Sequence, residues 1–252
     1  MSLSYVTYCT AIERETHRFV QVTAGADPAT PVPACPGWAL TDLIRHTGNL
    51  QRWFTVLLRD LAQQRPARPE IDPDLPSDPA AYPGWLTAGV TAAGAVLRVT
   101  DPDAPMWAWG PDKHARFWAR RMLFETLVHR ADAELALGLN PGIDAELAAD
   151  GVDEFLTNLP SALPFAPQVA GLRGADEVIR FECTDVDRQW AVRLRPDGFG
   201  LDPDGEAPHA SIRATAADLL LFVYGRPAPA GRAVTRLGDE ALITRWCTNS
   251  RF

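Results

Sequence analysis

The sequence predicts an α+β protein: an antiparallel bundle of four helices over residues 1–160, followed by a smaller α+β domain over residues 161–252. Three observations carry this expectation. Apolar residues recur at helical spacing in four long segments before residue 138. Stretches rich in proline and glycine separate those segments. Beyond Pro160 the spacing changes to the two-residue alternation of strands.

The first helix is expected from Tyr5 to about Val22, with Tyr5, Tyr8, Cys9, Ile12, Phe19 and Val22 on one face and Glu13, Arg14 and Glu15 between them. A breaker-rich loop, Ala24 to Trp38, leads to a second helix capped near Thr41. It runs to about Gln64 with Leu43, Leu50, Phe54, Leu57 and Leu61 inward. Six prolines between residues 65 and 83 exclude a regular element there. A third helix follows from Pro83 to Val99. A fourth spans His114 to Leu137 and stops at Gly138, a common residue past a helix C-terminus. A short fifth helix, Asp144 to Leu159, leads out of the bundle. Downstream, Ile179, Phe181 and Cys183 alternate with Arg180 and Glu182, Trp190, Val192 and Leu194 alternate with Ala191, Arg193 and Arg195, and a polar TDVDRQ turn joins the two strands. A third strand is expected at Ala210–Ala214, then an apolar helix from Thr215 and a last helix over Asp239–Trp246.

Composition narrows the function. The 252 residues carry a net charge of −8, which argues against a nucleic-acid partner. Cys9, Cys35, Cys183 and Cys247 are far apart and form neither a disulfide framework nor a thiolate metal motif. The N-terminus lacks the apolar core of a signal peptide, and no apolar run reaches the ~20 residues that span a bilayer. A cytoplasmic protein with no membrane partner, monomeric or homodimeric, is the expectation. No G-x-S-x-G, P-loop or G-x-G-x-x-G sequence is present.

The chemistry resides in the histidines. Glu125 precedes His129 by four residues on the fourth helix, so the two side chains share a face and can bind one cation. A third ligand must come from a neighbouring helix. His46, one turn after Leu43 and one before Leu50, belongs to the inward stripe of the second helix. Two histidines and a carboxylate suit an open catalytic zinc site, or the ligand set of a non-haem iron(II) enzyme. Asp132, one turn past His129, is placed either to orient the imidazole or to pair with an arginine. His17 reads as a solvated helix residue, His209 as an ordinary residue of a loop or strand start, and His114 as a surface or pocket-rim residue. Cys35 reads as a small buried residue or a thiol at the pocket.

The segments VPACPGWALTDLIRHTGNLQRW and ARRMLFETLVHRADAELALG, some 80 residues apart, together resemble the mycothiol-dependent maleylpyruvate isomerase family, within the wider DinB-like metal-binding bundles. ASIRATAADLLLFVYGR and LGDEALITRW resemble that family's C-terminal, sterol-carrier-like domain, so the likeness covers nearly the whole chain. The resemblance implies a divalent metal, usually zinc, on His46, Glu125 and His129, with mycothiol as thiol cosubstrate. It matches Arg226 to an arginine linked to activity and cosubstrate binding. Thr47 and Asn49 depart from the family's more apolar pattern, and Asn49 is the further candidate for cosubstrate contact.

The expected enzyme is a mycothiol-dependent transferase or isomerase acting on a small electrophile. A free thiol has a pKa of about 8.5, and coordination to a metal deprotonates it outright. The thiolate then adds to an electrophilic carbon. A transferase keeps the new bond, whereas an isomerase adds to an activated cis double bond, allows rotation and eliminates the thiol. The alternatives are a metal-dependent hydrolase, in which water takes the place of the thiol, and a non-enzymatic protein that binds a small apolar ligand.

Overall fold

The structure is a computed structural model that describes residues 3–65, 74–203, 207–229 and 231–251. Residues 66–73, which hold three of the six prolines of the expected interruption, lie outside the described residues. The chain forms two compact units. Among the described residues, one comprises those of 3–108 and 112–141, the other those of 109–111 and 142–251.

The first unit is a bundle of α1 (Tyr5–Thr23), α2 (Leu40–Arg59), α3 (Tyr82–Val99) and α4 (Ala115–Ala136). Around the bundle α1 lies between α3 and α4, and α2 closes the ring against the same two helices. The apolar stripes of the sequence form its core: Ile12, Phe19, Leu43, Leu57, Leu86, Met122, Leu123 and Leu127 are almost fully buried. Ser4 caps α1, its hydroxyl accepting the Thr7 N–H at 3.1 Å. The start of α2 is held differently from the expectation at Thr41. Ala39 is the capping position, and the Asp42 carboxylate accepts its N–H at 3.0 Å. The helix also stops five residues early, at Arg59, and Leu61 turns away with φ of 41°.

Two close approaches shape the bundle. At Gly48 of α2, a Cβ would lie 2.1 Å from the Trp85 ring of α3, so only glycine allows these helices to meet there. Between α1 and α4 the seam is ionic. Arg130, fully buried, donates to Glu15 at 2.9 Å and also pairs with Glu134, which Arg18 reaches at 2.8 Å. Glu15, expected between the apolar positions of α1, is therefore buried, because a buried charge is tolerated when a partner lies across the interface.

The second unit contains α5 (Ala145–Asn158), α6 (Ala216–Val223), α7 (Glu240–Asn249) and a five-stranded sheet. The expected fifth helix stands with this unit and packs against α6. The sheet order is β3 (Gly198–Leu201), β2 (Gln189–Arg195), β1 (Glu177–Cys183), β4 (Ala210–Ala214), β5 (Thr235–Gly238). Only β1 and β4 run parallel. Phe181 stands opposite Trp190 on one side and Ile212 on the other, so the alternating residues of three strands meet on one buried face. Strands β3 and β5 were not expected from the sequence. Glu154 of α5 is buried, accepting hydrogen bonds from Asn158 at 2.9 Å and the Tyr224 hydroxyl at 3.3 Å. No helix among the described residues is long and apolar enough to cross a membrane.

Candidate metal centre

The site is built on α4, α2 and the loop that enters α2. Residues 121, 125 and 129 follow one another at single turns of α4, with Asp132 one turn further. Along one stripe this sets a guanidinium, a carboxylate, an imidazole and a second carboxylate. Arg121 reaches Glu125 Oε1 at 3.3 Å. Glu125 Oε2 lies 3.5 Å from His129 Nε2, and His129 Nδ1 lies 3.0 Å from Asp132 Oδ2.

His46 arrives from α2. Its ring lies 4.9 Å from that of His129, nearly perpendicular at 87°. The expected ligand atoms of His46, Glu125 and His129 all fall within 4.8 Å of one another. A tetrahedral zinc with bonds of about 2.0–2.1 Å spaces its ligand atoms about 3.4 Å apart. The 3.5 Å between Glu125 Oε2 and His129 Nε2 matches that edge, so this donor set fits a divalent cation.

The loop before α2 supplies a wall. Val32 and Trp38 are tied by a backbone hydrogen bond of 2.9 Å, and within that tie Cys35 bonds to Val32 and Trp38 to Cys35, each at 3.0 Å. Gly37 sits inside this turn at φ of 85°, a conformation that favours glycine. The turn presents the Trp38 ring 4.9 Å from His46 and 6.3 Å from His129. It also brings the Cys35 thiol 3.6 Å from Asp132 Oδ2, so Cys35, His129 and Asp132 form a second group of potential ligands that shares His129.

Electrostatics favour a positive charge here. Burial disfavours the charge on Glu125, but Arg121, His129 and His46 outweigh it and hold the carboxyl well below its usual range. Burial likewise works against a cationic His129. Hydrogen bonds to Asp132, Cys35 and Glu125 prevail, and its protonation midpoint lies well above the usual histidine value. A proton or a divalent cation can supply that charge.

The remaining expected site residues fall elsewhere. Asn49, half-buried one turn after His46 on α2, has a buried Oδ1 with no hydrogen-bond partner among the described residues. Arg226 belongs to the second unit, where it follows α6 and donates to the Tyr224 carbonyl at 2.8 Å. His17 is exposed. His114 joins Asp112 at 2.6 Å at the start of α4, and His209 accepts the Val178 N–H at 3.1 Å. The sequence reading did not single out Arg121 or the placement of Trp38. For Arg121 the available signal was a charged residue at a core position of α4, in register with Glu125 and His129.

Residues 9–134 match the family described as mycothiol maleylpyruvate isomerase N-terminal domain, and residues 146–245 match the MDMPI C-terminal domain. The chain belongs to the mycothiol maleylpyruvate isomerase family. The family takes its description from an isomerase, and the present chain is an enzyme. Its fold is that of crystal structures of the mycothiol-dependent maleylpyruvate isomerase, at a TM-score of 0.62 and 15% identity over 93% of each chain. A histidine-to-alanine mutant of that isomerase matches over the same 93% with a TM-score of 0.63. Among curated proteins, subunit RuvA of the Holliday junction branch migration complex of Nitrosococcus oceani is 32% identical over 157 residues, 59% of this chain and 69% of the relative. That likeness has no counterpart in the two family matches, which follow one another along the chain, and it carries no functional reading.

Proposed function

We propose that this isomerase-family enzyme holds a divalent cation, most simply Zn2+, on His46, Glu125 and His129. It uses mycothiol as a nucleophile toward a small electrophile. The observation that carries the reading is the convergence of those three side chains at ligand spacing, from two helices, beside a carboxylate that orients one imidazole. A cation bound there keeps a thiol in its reactive thiolate form at neutral pH.

The chain's own groups account for the rest. Asp132 accepts from Nδ1 of His129 and thereby turns Nε2, with its lone pair, toward Glu125 and His46. Trp38 covers the histidines on one side and restricts water. The buried Oδ1 of Asn49, one turn after His46 and without a hydrogen-bond partner among the described residues, calls for a donor, and this supports its assignment to thiol binding. The role of Arg226 rests on the resemblance of its Tyr-Gly-Arg segment alone. The product follows from the electrophile: an activated cis double bond gives isomerisation, whereas a carbon that retains sulfur gives transfer.

Elemental analysis of gently purified protein, followed by mycothiol titration in a calorimeter, tests the reading. About one equivalent of metal and saturable thiol binding are expected, with both lost in His129→Ala. Metal-free protein that behaves like His129→Ala would sink it. Turnover of an ester or amide with no thiol present would replace it with the hydrolase.

A further inference from the structure

We propose that Cys35, Asp132 and His129 form a second cation site, selective for thiophilic metals such as Cd2+, and that the ring of His129 admits a cation on only one of its two sides at a time. The second site stands on its own three donors. The exclusion between the two sites rests on the metal-centre reading above.

Asp132 Oδ2 is the middle of the group. It lies 3.6 Å from Cys35 Sγ and 3.0 Å from His129 Nδ1, and the three donor atoms all fall within 4.8 Å of one another. A tetrahedral cation with a sulfur bond of about 2.3 Å and nitrogen or oxygen bonds of about 2.0–2.1 Å sets sulfur about 3.5 Å from oxygen. That edge is already present. The same cation sets nitrogen about 3.3–3.4 Å from oxygen. The imidazole meets this edge by exchanging its hydrogen bond for a metal bond and easing back slightly. Three protein donors with water in the fourth position complete such a site. A ligating carboxylate accepts hydrogen bonds as well, so the site does not need Asp132 or Cys35 to lack further partners. Among the described residues, Cys9, Cys183 and Cys247 join no group of three donors.

The exclusion follows from the two nitrogens of one ring. A neutral imidazole has one hydrogen and one lone pair. With the hydrogen on Nδ1, shared with Asp132, the lone pair of Nε2 faces Glu125 and His46. A cation held by Cys35 and Asp132 takes the lone pair of Nδ1 instead. The hydrogen then sits on Nε2, where Glu125 Oε2 lies 3.5 Å away. Filling both sides would strip the ring of both hydrogens. The Cys35 thiol gives up its proton on coordination, and the resulting thiolate draws soft cations to its side. A soft cation bound there disables the first centre.

The test uses the full chain, stripped with a chelator and kept reduced, and titrated with Cd2+ while thiolate-to-cadmium charge-transfer absorbance is followed. Wild type and His46→Ala should both gain a band that saturates near one equivalent, because His46 belongs to the other side of the ring. Cys35→Ser should lose the band, and Asp132→Asn should need about tenfold more Cd2+ for half its amplitude. Thermal melting checks the folding of each variant. If Asp132→Asn fails to fold, the other three proteins decide. In wild type loaded first with Co2+, cobalt release should grow in step with the cadmium band. A wild type without the band, a band that persists in Cys35→Ser, or one lost in folded His46→Ala would overturn the second site. Growth of the full band with Co2+ retained would overturn the exclusion. A wild type that gains the cadmium band but takes up no Co2+ would instead defeat the metal-centre reading and leave the second site standing.

Discussion

His129 and Asp132 are joined by a 3.0 Å hydrogen bond on the side of the imidazole that faces away from Glu125. Asp132 is fully buried and also lies 3.6 Å from the Cys35 thiol, so its carboxylate has a fixed geometry. The bond selects the tautomer in which Nδ1 carries the hydrogen and Nε2 is free to ligate. Asp132→Asn keeps the shape but removes the charge. A loss of metal affinity of about 10- to 100-fold is expected, measured by competition with a chelator. An unchanged affinity would mean that packing alone orients the ring.

The same bond gives cation binding a pH dependence of definite sign. The protonation midpoint of His129 in the metal-free protein lies well above the usual value, and the proton must leave before Nε2 can ligate. Affinity for a divalent cation should therefore rise as pH increases through and beyond the ordinary histidine range. About one proton should be released per cation at neutral pH, read from calorimetry in buffers of different ionisation enthalpy. In the metal-free protein, the stabilisation from His129 is complete below the ordinary histidine range and fades as pH rises through the elevated midpoint. That from Glu125 is complete above the ordinary carboxylate range and fades as pH falls through its depressed one.

Arg130 lies next to His129 in sequence but faces the opposite seam, where Glu15 and Glu134 share its guanidinium. Arg130→Met would leave two buried carboxylates without that partner. Chemical denaturation should show a loss of about 3–5 kcal/mol. A loss below about 1 kcal/mol would show that the network breaks even against its desolvation.

Gly48→Ala sets two effects against each other. Alanine favours the helix by about 1 kcal/mol over glycine. Its methyl would enter the Trp85 ring, which cannot readily yield because it is buried and Arg52 stacks on it at 4.1 Å. Overpacking of this kind costs about 1–3 kcal/mol, so a net loss is expected in a thermal melt. A stabilised variant would show that α2 and α3 can separate freely.

What was legible in the sequence follows from how each signal is encoded. The helices of the bundle were visible because burial on one face imposes a period, and α4 carried Glu125 and His129 within a single element. Strands β3 and β5 were not. Each has four residues, β3 holds two glycines and is half-buried throughout, and β5 is exposed along its length, so neither alternates. The cap at Asp42 escaped notice because its partner is the backbone of Ala39.

The sequence by itself determined the bundle, the main strands of the second domain and the pairing of Glu125 with His129 on one face of α4, since local periodicity and i, i+4 spacing lie within one segment. The three motifs in order carried the family. Only the tertiary structure decided that His46 meets those two residues, that Asp132 and Arg121 contact them from opposite ends, and that Trp38 and Cys35 border the site. The same holds for the buried charge of Glu15 and the placement of α5 with the second unit. These depend on distances between segments far apart in the chain. A charged side chain has the same composition whether it meets water or a buried partner, and the fold alone determines which.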